Sequence, residues 1–365
     1  MRTVSSIVIG HFSFKQETFN GQTIKTKILA DSLSQQLGKD EVRCVDTHGG
    51  IHFLMRSPME ILNALQRGKN IIILPAYRGI RVIVPLLVFL NMFFRRRLHY
   101  VVIGGWLPFF VERKPLLRYF LKKIDYIYVE TNAMAEALKS QKFSNVIIMP
   151  NFKQLDIVDA DSIKVISNED NNLTPSSETH TAKSSSTLLK LCTFSRVSRE
   201  KGIEDAVRAV NRANELLHEN IFSLDIYGQI EDEQWFAELM SRQPGTIQYC
   251  GTVPFSESTH YLSKYFLLLF PTFYPGEGFP GTLIDAMAAG LPVFASDWKA
   301  NKEIVVDGVT GRIFPARNVQ KLADILIEAA QNVDSVNTMR GECIKKAYNY
   351  LPERVICILT DRLKY

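Results

Sequence analysis

Residues 270–292 read FPTFYPGEGFPGTLIDAMAAGLP, and the segments on either side of this loop decide the fold. Upstream, Tyr265 to Phe270 is an apolar run that reads as a buried strand; downstream, the Ala-rich segment Leu283 to Ala289 reads as a helix. A strand feeding a helix through such a loop is the repeating unit of an open α/β sheet. Ligands bind outside the carboxyl ends of its strands, where free backbone N–H groups and the positive ends of helix dipoles point outward together. Gly276, Gly278 and Gly281 let the backbone approach a ligand closely, and Glu277 and Asp285 place two carboxylates eight positions apart beside it. Glycine and proline alone make only a turn, and one Glu alone is a solvated charge. The carboxylates, the glycines and the Ala-Gly-Leu-Pro turn in one place point to a bound molecule.

A second group of residues lies upstream in the same half. The strand Leu188–Phe194 runs into Ser195-Arg196-Val197-Ser198-Arg199-Glu200-Lys201-Gly202, and a helix follows from Ile203 to Leu217. Arg196 leaves the strand end, and Lys201 precedes a helix start, where a lysine opposes the dipole unless an anion sits there. Beside the plain reading of an exposed basic turn, the pair therefore reads as two cations converging on a diphosphate. Further strands are expected at Phe222–Tyr227, Thr246–Tyr249 and Val293–Ser296, with helices at Asp232–Ser241 and Glu257–Lys264 and through Lys321–Ala330 and beyond. Gly228 and the segment Gly251-Thr252-Val253 fall at strand ends.

The first half repeats the pattern. Strands are expected at Ile7–Gly10, Glu41–Asp46, Asn70–Pro75, His99–Gly104, Asp125–Glu130 and Asn145–Pro150. Helices are expected at Gln22–Leu37, Pro58–Arg67, Arg81–Phe94, Leu116–Lys123 and Ala133–Ser140. The chain is therefore expected to hold two doubly wound domains: residues 1–152, and residues 188–352 after a polar linker at 153–187, with a helix Glu353–Tyr365 at the end. Asn168 to Ser186, NEDNNLTPSSETHTAKSSS, is too poor in large apolar groups to form a core, and its NLT at Asn172 reads as an accidental glycosylation match. At the first strand-to-helix connection, Asn20-Gly21-Gln22-Thr23 reads either as a helix cap or as a close backbone approach through Gly21. Arg78 and Arg81 follow the third strand and Trp106 the fourth; they are candidates for holding an acceptor's phosphate and stacking on its sugar, beside the plain reading of solvated charges and a packed indole.

Composition narrows the function class. At 365 residues the chain exceeds the size at which one core keeps growing, and 46% hydrophobic with 22% charged residues suits a globular enzyme. Five scattered cysteines and seven histidines lack the spacing of a disulfide framework or a metal site. Met1 to Gly10 does not read as a signal peptide, and the longest apolar segment, Val82 to Phe94, is shorter than the roughly twenty residues a spanning helix needs. A cytoplasmic protein is expected. Residues 1–150 carry 21 Lys and Arg against 10 Asp and Glu, a net of +11, while the remaining 22 and 28 give −6. That asymmetry suggests that the first half meets an anionic surface. Arg95-Arg96-Arg97 and Arg113, Lys114, Arg118, Lys122 and Lys123, interleaved with aromatic and aliphatic residues, fit peripheral contact with the inner face of a membrane. Nucleic acid is not an expected partner.

The GEGFP loop with its DAMAAGLPV continuation resembles the donor-sugar loop of the family 4 retaining glycosyltransferases of the GT-B superfamily, of the bacterial surface-polysaccharide type. The SRVSREKG stretch is similar to that family's GRLSREKG. The resemblance extends over nearly the whole chain and implies two Rossmann-like domains facing each other across a cleft, with the last helix crossing back onto the first. It implies metal-independent transfer, with retention, from a nucleotide-diphosphate sugar to a saccharide or lipid-linked saccharide, without a cofactor. Carried over by position, Glu277 holds the transferred sugar's hydroxyls, with backbone from Gly278, Phe279, Pro280, Gly281 and Thr282. Arg196 and Lys201 bind the diphosphate, Gly21 approaches it, Asp285 bonds the ribose, and Gly228 and Val253 lie where the base should sit. Two positions depart from the pattern. Asp285 replaces the usual Glu and reaches roughly 1.5 Å less; the Gly104-Gly105-Trp106 turn stands where many relatives place a histidine, which puts a side-chain base in doubt. Another GT-B reaction, such as an epimerase or phosphorylase, and a non-catalytic donor-binding subunit are the alternative readings.

Overall fold

Alternation with a period of two builds the first sheet. In the strand Val4–Gly10, Ile7 and Ile9 enter one buried cluster and Val8 another; in Gly68–Ile73, Ile71 and Ile73 join the first cluster and Ile72 the second. Strands buried on both faces are those of a parallel sheet covered by helices on both sides. The computed structural model describes residues 3–14, 21–48, 51–159 and 188–363, the side chains of 51–55 excepted. Asn20, the segment Asn168–Ser186, the NLT at Asn172 and the last two residues of the expected terminal helix lie outside the described residues.

By its internal contacts the chain divides into two units: residues 1–154 with 276–279 and 349–365, and residues 155–275 with 280–348. The first unit holds β1 (Val4–Gly10), β2 (Val42–Asp46), β3 (Gly68–Ile73), β4 (Arg97–Val101), β5 (Tyr126–Val129) and β6 (Val146–Ile148). Its helices are α1 (Gly21–Leu37), α2 (Ile51–Arg67), α3 (Ile80–Phe94), α4 (Leu107–Glu112), α5 (Pro115–Leu121) and α6 (Asn132–Ser140). All pairings are parallel, in the order β2-β1-β3-β4-β5-β6, so the sheet reverses its direction of growth between β1 and β3.

The second unit holds β7 (Leu189–Phe194), β8 (Phe222–Tyr227), β9 (Ile247–Tyr249), β10 (Leu267–Phe270), β11 (Val293–Ser296) and β12 (Gly311–Phe314). Its helices are α7 (Ile203–Leu217), α8 (Glu233–Met240), α9 (Ser258–Leu262), α10 (Gly281–Ala288), α11 (Asn301–Ile304), α12 (Val319–Gln331) and α13 (Val333–Ala347). The order β12-β11-β10-β7-β8-β9 is again all parallel, and growth reverses between β7 and β10. Each sheet thus has a switch point, the place where the carboxyl ends of two neighbouring strands leave a crevice.

Several expectations need correction. The terminal segment is not one helix from Glu353: it forms α14 (Pro352–Val355) and α15 (Cys357–Thr360), because Val355, Ile356, Ile358 and Thr360 crowd β-branched side chains into one stretch. Val355, Ile356, Leu359 and Leu363 are buried against the Val8 face of the first sheet, together with Leu29 and Tyr128. The second helix starts at Ile51, with Pro58 inside it rather than at its start. Strands β3 and β4 begin and end two or more residues earlier than their apolar runs suggest, because Gly68 is buried against Ile7 and the runs continue past the ladder into the site loops. Helix α4 and strand β12 have no counterpart among the expected elements. Among the described residues no helix is long and apolar enough to cross a membrane.

Candidate functional site

The reversal between β7 and β10 brings the two sequence clusters of the second unit to one sheet edge. Leu267 pairs with Leu191 and Leu268 with Cys192, so the loops after Phe194 and Phe270 leave side by side. Both are tied down by close backbone contact. Phe273 N–H donates to the Glu200 carbonyl at 2.8 Å, and a Cβ added at Gly202, at φ +74°, would lie 2.2 Å from the Pro271 carbonyl oxygen. Only glycine permits that approach. A short 3-10 turn, Arg199–Lys201, and Gly202 then lead into α7, with Glu204 and Asp205 in its first turn.

Tyr274 is the centre of this edge. Its ring lies 5.2 Å from the Arg196 guanidinium and 5.1 Å from Lys201 Nζ, so the two cations converge on one aromatic residue. Arg196 also pairs with Glu231, which follows β8. Burial works to lower the Arg196 pKa, but the hydrogen bond that Arg196 donates to the Tyr274 hydroxyl and the Glu231 charge outweigh it and raise the value, so the guanidinium stays charged. Trp298 Nε1 donates to the Tyr274 carbonyl at 2.8 Å, and the buried Ser296 hydroxyl donates to the Thr272 carbonyl at 2.5 Å; Asn301 Nδ2 in turn donates to the Ser296 carbonyl at 3.0 Å. The second loop is thereby fixed from β11. Tyr274, Glu231 and Trp298 were not singled out from the sequence; the single available signal was that Tyr274 lies three residues before Glu277.

The remaining sequence candidates of this unit fall around the same edge. Gly228, at φ +135°, has the Ser195 carbonyl oxygen 1.7 Å from where a Cβ would stand, and its N–H donates to Gly251 at 2.8 Å. Close packing of the β7 and β8 exits therefore accounts for this glycine. Val253 is half-buried after β9. Pro280 caps α10, Gly281 and Thr282 open it half-exposed, and Asp285, one turn on, is only 6% exposed.

Glu277, Gly278 and Phe279 group with the first unit. There the Gly104-Gly105 turn lies against them: a Cβ on Gly278 would meet Gly105 N at 3.0 Å, and one on Gly105 would meet the Glu277 carbonyl at 3.1 Å. Phe279 is buried edge-on to Tyr350 and accepts a hydrogen bond from Asn151 Nδ2 at 3.3 Å. Glu277 is half-buried. The turn is held from beneath by Glu130, at the end of β5: one carboxylate oxygen accepts from Gly104 N–H at 3.3 Å and the other from Lys25 Nζ of α1 at 2.5 Å.

At the β1/β3 switch point Gly21 opens α1, exposed, with nothing within 4 Å of a Cβ placed there and no left-handed backbone to require glycine. Gln22 Nε2 donates to the Leu74 carbonyl at 3.2 Å, and His11 bridges the Thr23 hydroxyl at 2.8 Å and His48 at 3.1 Å. Arg81 and Trp106 gather with Tyr77 and Phe110: the guanidinium lies 5.0 Å from the Phe110 ring and 5.7 Å from Tyr77, and Trp106 meets both rings edge-on. The Trp106 N–H is taken by the Ile103 carbonyl at 2.8 Å; Trp106 is half-buried and Tyr77 is exposed. Arg78 is exposed beside it. Among the described residues no group of three His, Cys, Asp or Glu side chains gathers as a cation site.

Comparison with known proteins gives a partial match that falls on this second sheet. Residues 189–332 match the family model of the group 1 glycosyl transferases. The amylovoran biosynthesis glycosyltransferase AmsK of Erwinia amylovora is 26% identical over 183 residues, 48% of this chain and 45% of that protein. The UDP-N-acetylglucosamine–peptide N-acetylglucosaminyltransferase GtfA subunit of Streptococcus pneumoniae serotype 4 is 28% identical over 195 residues, 53% of this chain and 35% of that protein. The matched segments thus span less than half of these curated relatives. Among solved structures, HepE of Anabaena in complex with UDP and glucose superimposes with a TM-score of 0.68 at 13% identity, covering 98% of both chains. The lipopolysaccharide outer core galactosyltransferase WaaB does so with 0.70 at 12%, again covering 98% of both. The fold is GT-B, with two Rossmann-like α/β domains.

Proposed function

We propose that this protein is a retaining, metal-independent glycosyltransferase that moves a sugar from a nucleotide-diphosphate donor to an acceptor hydroxyl. The observation that carries the reading is the convergence of Arg196 and Lys201 on Tyr274 at the β7/β10 switch point, where a doubly wound sheet binds its ligand. Two cations at the mouth of α7 suit a diphosphate, and they stabilise the charge that builds on it as the glycosidic bond breaks, which is the work a metal ion does elsewhere. The group 1 match over the second sheet and the UDP bound in a structural neighbour support the donor class.

In this scheme Glu277 orients the transferred sugar, with the Gly278 to Thr282 backbone, and Asp285 bonds the ribose. Gly21 approaches the diphosphate, and Gly228 and Val253 border the base. The acceptor oxygen bonds the anomeric carbon on the face the diphosphate leaves, and its proton passes to a leaving phosphate oxygen. That route needs no side-chain base, in keeping with the absence of histidine from the Gly104-Gly105-Trp106 turn. A saccharide or lipid-linked saccharide is the acceptor, in a surface-polysaccharide or glycolipid pathway, with Arg78, Arg81 and the Tyr77–Trp106 cluster facing it. Peripheral contact with an anionic membrane follows from the +11 of residues 1–150.

The test is transfer from a panel of nucleotide sugars to membrane lipid extract, with the anomeric configuration of the product read by NMR. Transfer with retention, lost in Glu277→Ala while the donor still raises Tm, is the expected result. Full activity in Glu277→Ala overturns the site assignment, and donor binding without transfer by the wild type points to a donor-binding subunit.

A further inference from the structure

The basic clusters of the first unit do not all face outward for a partner. Arg96 donates to the Leu65 carbonyl at 2.8 Å, Arg97 to the Arg362 carbonyl at 3.0 Å, and Lys114 to the Phe110 carbonyl at 2.9 Å. These cations serve the fold. A different set remains between α5 and the end of α6, around an open groove of about 410 Å3. Arg118, Lys122 and Lys142 line it with Tyr119, Ser140 and Gln141, and no carboxylate does. The nearest acidic residue on α6, Glu136, is engaged by Lys139 at 2.9 Å. Two helix C-termini, at Leu121 and Ser140, border the groove and bring about half a negative charge each. Three cations exceed what those dipoles require, so the groove keeps a positive excess. The Gln141 side-chain oxygen is buried and without a hydrogen-bond partner in the structure, while its amide nitrogen donates to Pro108.

The helix that carries Arg118 is also apolar on its outer side. Leu116 is 69% and Tyr119 58% exposed, one turn apart, and Phe93 of α3 and Phe109 of α4, helices that pack on α5, are 76% and 70% exposed. Large aromatic and aliphatic side chains thus stand exposed on three helices that pack together, and such residues mark an interaction surface where they adjoin. A free anion would account for the groove alone, and a protein partner for the apolar residues alone. Anionic headgroups above an acyl boundary match both at once.

We propose that the groove bounded by Arg118, Lys122 and Lys142 binds the phosphate of an anionic phospholipid while Leu116, Tyr119 and the exposed phenylalanines enter the bilayer interface. This deepens the reading of membrane contact, and it is tested apart from the transfer reaction.

The full chain is mixed with vesicles of phosphatidylcholine, alone or with phosphatidylglycerol, and bound protein is measured by flotation at low salt. The wild type is expected to float only with the anionic vesicles. Each cation near such a surface is worth roughly a fivefold change in partition, so Lys122→Ala with Lys142→Ala lowers binding roughly 25-fold. Leu116→Ser with Tyr119→Ser also lowers it, although every cation remains. Both double variants keep the donor-induced rise in Tm, which separates loss of docking from loss of fold or of the donor site. Equal flotation of wild type and lysine variants overturns the proposal. So does a wild type that binds inorganic phosphate through Lys122 and Lys142 yet does not float with the anionic vesicles, since the groove would then be a free-phosphate site.

Discussion

Glu130 and Lys25 form a buried ion pair at 2.5 Å, with side chains only 4% and 5% exposed, and the second Glu130 oxygen holds the N–H of Gly104. The pair ties α1, which opens at Gly21, to the turn that lies against Glu277 and Gly278. Lys25 also sits 5.3 Å from the Phe152 ring, so its charge is enclosed by carboxylate and aromatic face. A buried pair gains little net stability over an apolar replacement, but removing one partner strands the other's charge, at a cost of about 3–5 kcal/mol. We expect Glu130→Gln to lower the unfolding free energy by that order. Lys25→Met with Glu130→Gln together should regain most of it, because no buried charge is then unpaired. If Glu130 positions the Gly104 turn, the double variant keeps its donor KM and loses kcat; denaturant melts with transfer kinetics check both. A double variant with wild-type kcat would reduce the pair to packing.

Gly21 and Gly228 are both candidate donor contacts, and their surroundings predict opposite outcomes. Gly228→Ala forces a Cβ into the Ser195 carbonyl from a backbone at φ +135°, and the conformation alone costs about 1–3 kcal/mol. Tm should fall whether or not donor is present. Gly21→Ala meets nothing within 4 Å, and alanine is the better helix former by up to about 1 kcal/mol. Its Tm should hold or rise, while the added shift from a nucleotide sugar shrinks. Differential scanning fluorimetry of the two variants with and without donor reads this contrast. An unchanged donor shift in Gly21→Ala would leave this glycine as a plain helix start.

Much of this architecture can be read from local pattern. The expected Ile203–Leu217, Phe222–Tyr227 and Val293–Ser296 coincide with α7, β8 and β11, because each is a clean apolar run or stripe bounded by breakers. What local pattern cannot show is lateral order. Arg196 and Tyr274 become neighbours only because β10 adds beside β7 rather than beyond β9. Lys25 and Glu130 are 105 residues apart and meet for a similar reason. Short elements were missed as well: the strand Gly311–Phe314 carries a Gly and an Arg, and the helix Leu107–Glu112 begins with a proline in its first turn, so neither shows a full period.

Tyr274 offers a way to separate cation from scaffold in the proposed diphosphate clamp. Its ring lies about as far from Arg196 as from Lys201, and its hydroxyl bonds Arg196. Tyr274→Phe keeps the ring under both cations and should change kcat/KM by less than about tenfold, the loss of one hydrogen bond of about 1 kcal/mol. Lys201→Ala removes a group that stabilises leaving-group charge and should lower kcat by about 10²–10³. Steady-state kinetics with a saturating acceptor distinguishes them. If Tyr274→Phe proved as damaging as Lys201→Ala, the hydroxyl itself would have to touch the reacting groups.

His99 predicts an acid limb of stability that belongs to the first unit and not to the reaction. It lies fully buried in β4, stacked near Tyr126 and Tyr128, with Nδ1 3.0 Å from the Tyr128 hydroxyl. Burial first, and then the Arg97 and Arg362 charges, lower its pKa from 6.5 to about 3. Above pH 6.5 the imidazole is neutral in folded and unfolded chains alike, so it adds no pH dependence. Between pH 6.5 and about 3 the unfolded chain takes up a proton that the folded one does not, and stability falls by up to about 1.4 kcal/mol per pH unit. His99→Gln keeps a hydrogen-bonding side chain but has no proton to gain. Denaturant titrations across this range should give a shallower slope for His99→Gln than for the wild type, with the two curves parallel above pH 7. Equal slopes below pH 6 would mean that the ring is protonated in the folded chain.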